Sequence, residues 1–216
     1  MSVMVKHWFM RGSAHQLFMP AGPMAILPLP GNRSSIVWTE RTKQANVING
    51  LSSAEYLACL RPCFGEFLGD VRLAGKRFIY PLGLSLAQSF IADRVALVGD
   101  AAHGIHPLAG QGLNLGLRDI AALAEVLVQA ARRGQDIGSL TTLQSYQQWR
   151  RFDVALLAAA TDGINRIFSN NNLLMRGMRN LALGVVNDKP SVRRTMIRQA
   201  AGLTGDLPRL MQGRAI

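Results

Sequence analysis

The sequence predicts an α/β (α+β) fold, and three stretches carry that prediction. The first is Asp93 to Asp119, DRVALVGDAAHGIHPLAGQGLNLGLRD. Arg94 to Val98 contains four apolar residues in succession, too short for a helix and β-branched at Val95 and Val98, which suits a strand buried on both faces within a parallel sheet. Gly99 stops it, glycines and Pro107 keep the next dozen residues from closing into an ordinary helix, and after Gly112 a 3.6-residue period begins. Leu113, Leu117, Ile120, Ala124 and Leu127 form its expected inward face. The second stretch is Met24 to Thr39, two apolar segments around a Gly31-Asn32-Arg33-Ser34 turn, which reads as a hairpin. The third is Leu140 to Phe168, long and helical in pattern.

Taken in order, residues 1–17 show no clear period. In the hairpin, prolines at 23, 28 and 30 point to an edge or irregular strand. Ser52-Ser53-Ala54-Glu55 fits a capping box opening a helix near Ser53, with Tyr56, Leu57 and Leu60 on its apolar side. Pro62 is expected to interrupt or kink this helix, and Gly65 to Gly69 to close the segment. Val71 to Leu84 reads as strand, turn and strand, where Phe78, Tyr80 and Leu82 serve sheet packing or line a ligand wall. Arg132-Arg133-Gly134 gives the helix that starts at Gly112 a basic, glycine-terminated end, and Gly138-Ser139 starts the next one. Leu174, Met178, Leu181 and Val185 make a narrow apolar stripe, either packed on the domain or lying on a membrane.

The chemistry concentrates after Val98. A carboxylate at a strand end can accept hydrogen bonds from the hydroxyls of a ribityl or ribose chain, which is one use for Asp100; a plain turn or helix cap is the other. Gly110 and Gly112 let backbone approach a flat ligand, because no Cβ intervenes. The N–H groups near Gly112, Leu113 and Asn114 favour an electron-rich group, such as the pyrimidine end of a flavin. His103 and His106 have a spacing that a metal pair would share, but no carboxylate cluster lies nearby, and hydrogen bonding within the loop is the preferred reading. Arg118 and Asp119 read as structural partners rather than catalysts.

The run GDAAHGIHPLAGQGLNLGLRD, Gly99 to Asp119, resembles the second flavin-binding motif of the FAD-dependent aromatic hydroxylases, and within them the ubiquinone-biosynthesis branch. PAGPMAILPLPGNRSSIVWTE (Pro20 to Glu40) is similar to the family's substrate-domain hairpin, and LQSYQQWRRFD (Leu143 to Asp153) to its C-terminal helical region. The resemblance covers the C-terminal half of a family member. It implies a partial FAD-dependent hydroxylase fold: 1–17 unassigned, 18–92 part of a substrate-binding β-sheet domain, 93–135 the end of the FAD-binding domain, and 136–216 a helical region. It also implies that Gly99, Asp100, Pro107, Gly110, Gln111, Gly112, Leu113 and Asn114 bind FAD, with Asp100 on the ribityl chain and Pro107, Gly110, Gln111, Gly112, Leu113 and Asn114 around the isoalloxazine. In the intact family NAD(P)H reduces the flavin and oxygen then hydroxylates an electron-rich ring, here that of a polyprenylated phenol or quinone precursor. The resemblance assigns no catalytic acid, base or nucleophile and no metal. No strand here is followed by G-x-G-x-x-G, so the Rossmann unit that would hold the ADP half is missing from this sequence.

Composition narrows the remaining choices. With 49% apolar residues, disorder is not expected. No apolar run approaches the roughly 18 residues of a membrane span, and Lys6 precedes any signal-peptide core, so the chain reads as cytoplasmic. Cys59 and Cys63 fit a reducing compartment. The formal charge is +11. From Ser169 onward eight basic residues stand against Asp188 and Asp206, +6 net. Arg193, Arg194 and Arg198 are part of that excess. Such a cluster suits anionic lipid, as in a peripheral inner-membrane contact, or an acidic partner protein. Nucleic acid is disfavoured, because no aromatic residue is interleaved for base stacking. Three functional readings remain: the C-terminal portion of a monooxygenase acting with a missing N-terminal half, a silent module that assembles with ubiquinone-pathway proteins, or a basic membrane- or nucleic-acid-associating protein with a vestigial flavin motif.

Overall fold

The structure is a computed structural model that describes residues 2–6, 13–64, 69–105, 110–168, 184, 188–200 and 204–216. The chain divides into two compact units, Met1–Pro81 with Asn165–Arg176 and Leu82–Ile164 with Gly177–Ile216.

The first unit is built on a five-stranded antiparallel sheet. Its strands are β1 (Ser2–Lys6), β2 (His15–Met19), β3 (Gly22–Leu29), β4 (Arg33–Trp38) and β5 (Asp70–Leu73), in the order β2-β3-β4-β1-β5. The expected hairpin is β3–β4, with Ile26 opposite Ile36 and Met24 opposite Trp38. Gly31 takes φ +67 in its turn, a conformation open to glycine at no steric cost. Period-2 alternation sends Met24, Ile26 and Ile36 to one face, where they meet Ile48, Tyr56, Leu60 and Val71 in a buried cluster.

Those last residues but one come from α1 (Thr42–Gly50) and α2 (Ser53–Phe64). At the start of α2 the capping box forms as expected: Ser52 N–H donates to Glu55 Oε2 at 2.9 Å, and Glu55 N–H donates to Ser52 Oγ at 3.3 Å. Arg77 closes the C-terminal end of α1, donating to the carbonyls of Ile48 and Leu51 and lying over the Tyr56 ring at 4.7 Å. Burial pushes the Tyr56 hydroxyl up to about 12, against the opposing pull of the Arg77 cation.

Three expectations in this unit need correction. β3 is interior to the sheet, not an edge strand. Its prolines are tolerated because of where their missing donors point: Pro28 lies beyond the ladder with β2, which begins at His15–Ile26, and Pro23 lies beyond the last β4 pair, Met24–Trp38. Of the two outcomes expected at Pro62, interruption does not occur, because α2 continues to Phe64; within the last turn a single lost hydrogen bond is not propagated. Val71 to Leu84 is one strand followed by chain without regular structure, and Phe78 and Tyr80 are exposed rather than packed. Residues 65–68, within the segment expected to close α2, lie outside the described residues.

Among the described residues the second unit carries two short ladders, β6 (Ser85–Leu86) with β9 (His103–Gly104) and β7 (Ile91–Ala92) with β8 (Val95–Ala96), then α3 (Gln111–Arg132), most of α4 (Leu140–Phe168) and α5 (Pro190–Ala200). Phe90, Ala102, Leu115, Ala122, Tyr146 and Val154 form its core. Ser139 opens α4, its hydroxyl accepting from the Thr142 N–H. Cys59 and Cys63, back in α2, are free thiols. No helix among the described residues is long and apolar enough to cross a membrane. The Leu174 to Val185 stripe lies outside the described residues but for Gly184.

The strand expected over Arg94 to Val98 differs most from its prediction. Only Val95–Ala96 is β, paired antiparallel with Ile91–Ala92 across an Asp93-Arg94 turn in which Arg94 has φ +56. Val95 is exposed, and Leu97 and Val98 are half-buried. A strand buried on both faces needs a neighbour on each side and a layer above and below, and the described chain supplies one two-residue neighbour. What holds the segment is local: Leu97 N–H donates to the Phe90 carbonyl, and Tyr146 Oη donates to the Leu97 carbonyl at 2.7 Å.

Candidate functional site

The expected site residues lie where this extended segment meets α3. Val98 is extended, Gly99 turns with φ +58, and Gly99–Ala101 make one turn of 3-10 helix that carries Asp100. Gly110 is the N-cap of α3, in the left-handed region at φ 64, with no side-chain cap bond. No acidic residue stands in the first turn, so the positive end of the α3 dipole is not neutralised from within the helix.

The structure brings the carboxylate and this helix start together. A Cβ placed on Gly112 would lie 3.9 Å from Asp100 Oδ1, and one on Gly116 would lie 3.4 Å from the Gly99 Cα. Gly112 and Gly116 are one helical turn apart, so the same face of α3 receives the turn at two heights. Asp100 is exposed, and its carboxylate has no hydrogen-bond partner among the described residues. Gln111 is buried and its Oε1 accepts from Asn114 Nδ2 at 3.4 Å, while Leu113 is 74% exposed. Gly99, Asp100, Gly110, Gln111, Gly112, Leu113 and Asn114 thus gather around one loop and one helix start. Pro107 and His106 lie outside the described residues.

Beneath the loop is a cluster whose partners sequence reasoning did not connect. Asp119 is fully buried in α3, three residues beyond Gly116. Its Oδ2 accepts from the Gly99 N–H at 3.0 Å and stands 2.5 Å from His103 Nε2, and its Oδ1 accepts from Arg150 Nε at 2.8 Å. Arg150, fully buried in α4, also donates to Asp153 Oδ2, which Arg118 reaches at 3.1 Å. Burial by itself would raise the Asp119 carboxyl. The hydrogen bonds from His103, Arg150 and Gly99 outweigh it and hold the group below the usual carboxylate range.

Arg118 and Asp119 are structural partners, as expected, though through tertiary contacts rather than with each other. Among the described residues the His103 ring is paired with Asp119 rather than with its own loop, and it lies tilted against Phe90 at 5.9 Å.

The α3 face was also misread. Leu117 and Ile120, expected to be buried, are about half exposed, whereas Leu115, Asp119, Ala122 and Glu125 are buried. The inward face of α3 carries carboxylates and glycines, so an apolar stripe alone selects the wrong side. The i, i+4, i+7 series Gly112, Gly116, Asp119 was readable as a face made for close approach. The link from Arg150 to Asp119 offered no such signal, since it spans thirty-one residues.

The chain as a whole has counterparts among known proteins. The FAD binding domain family matches residues 2–160. The chain is 48% identical over 206 residues to the ubiquinone hydroxylase UbiL of Rhodospirillum rubrum, covering 94% of this chain and 48% of that protein. It is 39% identical over 192 residues to the 3-demethoxyubiquinol 3-hydroxylase of Escherichia coli, covering 88% of this chain and 49% of that one. It therefore spans about half the length of the curated relatives it matches. Among solved structures, p-nitrophenol 4-monooxygenase PnpA from Pseudomonas putida superposes with a TM-score of 0.69 at 22% identity, over 94% of this chain and 51% of that one. The Diels-Alderase PyrE3 superposes with a TM-score of 0.66 at 22% identity, over 96% and 44%. Two such different reactions on one scaffold mean that these likenesses speak for the fold and not for the chemistry. The family match runs through the sheet, the turn at Asp100 and all of α3, and on that ground the chain belongs to the FAD binding domain family.

Proposed function

We propose that this chain is the C-terminal portion of an FAD-dependent monooxygenase that hydroxylates an aromatic ring of a ubiquinone precursor, using NAD(P)H and oxygen. The observation that carries the reading is the Asp100 carboxylate, unpartnered among the described residues and set beside Gly112 in the uncapped first turn of α3. The residues fit the cofactor. Asp100 accepts hydrogen bonds from the ribityl hydroxyls. The bare backbone of Gly110, around which a Cβ would find open space, and of Gly112 admits a flat ring. The helix start, with the N–H groups near Gly112, Leu113 and Asn114, orients the electron-rich end of that ring. The exposed Leu113 side chain offers it an apolar cover, and Gly99, Pro107 and Gln111 complete the set. When bound, FAD supplies the redox and oxygen chemistry, and the protein supplies orientation and polarity. In this reading 18–92 belongs to the substrate-binding sheet domain, 93–135 to the FAD domain, and 136–216 to a helical region.

The relatives' names support a quinone precursor as substrate, and such a precursor, if polyprenylated, resides in a membrane. Exposed Arg193, Arg194 and Arg198 on α5 support a peripheral contact with anionic lipid. A second reading, a silent module assembling with other proteins of the pathway, is favoured by the exposed apolar residues Leu117 and Ile120.

The deciding experiment is a visible absorption spectrum of the chain after incubation with FAD and gel filtration, alone and coexpressed with a polypeptide carrying the G-x-G-x-x-G half. Retained flavin that is lost in Asp100→Ala is the expected result. A stable but colourless complex would favour the assembly module.

A further inference from the structure

We infer that Asp119, oriented by Arg150, is the positioning residue of the flavin loop: it holds Gly99–His103 against α3 in the arrangement that sets the Asp100 carboxylate beside Gly112. The inference rests on the function proposed above for that loop and adds the device that shapes it.

The geometry is specific. One carboxylate oxygen, Asp119 Oδ2, takes both the Gly99 N–H at 3.0 Å and His103 Nε2 at 2.5 Å, so it ties the two ends of a five-residue segment to a single point on α3. The other oxygen is claimed by Arg150 Nε at 2.8 Å, and the Arg150 guanidinium is itself held by Asp153. With both oxygens engaged, the Asp119 side chain has no freedom to follow the loop. Asp119 and Arg150 are fully buried and His103 is 1% exposed, whereas Asp100, one residue from the tied Gly99, is exposed. Packing alone does not call for such a cluster, since apolar residues of similar volume generally serve a core at least as well as a buried ion pair. What an ionic peg adds is direction, because hydrogen bonds to a carboxylate fix where the donors lie.

A second contact acts on the same atom group. Gly116 approaches so closely that a Cβ there would stand 3.4 Å from the Gly99 Cα. Gly99 is thus bounded by Gly116 and pulled by Asp119, three residues apart on one helix face. Its left-handed φ of +58 is the conformation this requires.

The test uses the full 216-residue chain and two readouts. Residue-resolved amide hydrogen exchange reports the clamp, and fluorescence titration with FAD reports the site. In Asp119→Asn the amide can keep Arg150, and His103 can change tautomer to suit it. The new NH2 group, however, donates only and cannot accept from the Gly99 N–H. Asp119→Asn should speed exchange at Gly99 and weaken FAD binding about tenfold to a hundredfold, the range produced by losing a hydrogen bond to a charged group.

Gly116→Ala leaves every charge in place and presses on Gly99, and it should weaken FAD binding as well. Asp100→Ala should lose FAD while Gly99 keeps its wild-type exchange rate. Leu143→Ala, a core change in α4 away from the loop, should lower the melting temperature and alter neither readout. Wild-type exchange at Gly99 in Asp119→Asn, or wild-type FAD affinity in both Asp119→Asn and Gly116→Ala, would overturn the inference. If the wild-type chain takes up no FAD even when coexpressed with a polypeptide carrying the G-x-G-x-x-G half, while Asp119→Asn still frees Gly99, the clamp stands and the function proposed for the loop falls.

Discussion

The two units of this chain solve the same problem by different means. The sheet unit is cemented by apolar layering: β3 and β4 run side by side for six paired positions, and one face of the sheet meets α1 and α2 through Met24, Ile26, Ile36, Ile48, Tyr56 and Leu60. The unit carrying Asp100 has ladders of only two residues each, and its loop is fixed by a buried carboxylate between a histidine and an arginine. Layered apolar contacts tolerate adjustment, because many weak contacts share the load. An ionic peg is all-or-none, because removing one partner strands the others without water. A region that must present a carboxylate in a set direction gains from the second kind of construction.

The largest expected effect follows from that difference. Asp119→Ala leaves Arg150 short of a partner and orphans both His103 and the Gly99 N–H, and should cost about 3–5 kcal/mol, read as a loss of melting temperature in the Asp100 unit. Acid reaches the same point without mutation. The Asp119 carboxyl lies below its ordinary value in the folded chain, so its contribution is fully present above the unfolded value, about 4, and is lost as pH falls through the folded one. Acidification below about pH 4 should therefore loosen the Asp100 unit first. Amide exchange that opened Gly99 no earlier than the β3–β4 ladder would contradict this.

Leu60→Ala tests the other unit. Leu60 is fully buried between α2 and the sheet, and truncation should cost about 2–5 kcal/mol. Unlike Asp119→Ala it should leave exchange at Gly99 unchanged. Ser52→Ala removes one half of the capping box and should cost about 1 kcal/mol, detected as fraying of the first turn of α2.

The parts legible in the sequence were those whose partners lie close along the chain. The Ser52–Glu55 box, the Gly31 turn and the end of α3 near Arg133 each depend on residues a few positions apart, and each stands as read, while α3 starts at Gln111, just ahead of the expected Gly112. The contacts spanning sixteen to thirty-one residues were not legible: Asp119 to His103 and to Arg150 join three elements, and no local period announces them. The strand expected at Arg94–Val98 failed for the complementary reason, because its composition answers to neighbours that the described chain does not provide. Helix α1 had no signal at all; its mean character is near neutral and its one buried side chain is Ile48. The candidate site sits between these cases, its loop readable from glycine spacing and its support readable only from coordinates.

The smallest expected effect gives the sharpest comparison within one helix. Leu115 and Leu117 are two residues apart in α3, which places them on different sides of it. A 3.6-residue stripe through Leu113, Leu117 and Ile120 makes Leu117 the core residue, whereas the structure buries Leu115 to 2% exposure and leaves Leu117 at 48%. Leu115→Ala should cost about 2–5 kcal/mol. Leu117→Gln should stay within about 0.5 kcal/mol, as a surface substitution does. Thermal melts of the two variants decide between the faces. Were Leu117→Gln instead to lower the melting temperature as far as Leu115→Ala, the Leu117 side of α3 would be covered in solution, and the expected difference between the two leucines would vanish with it.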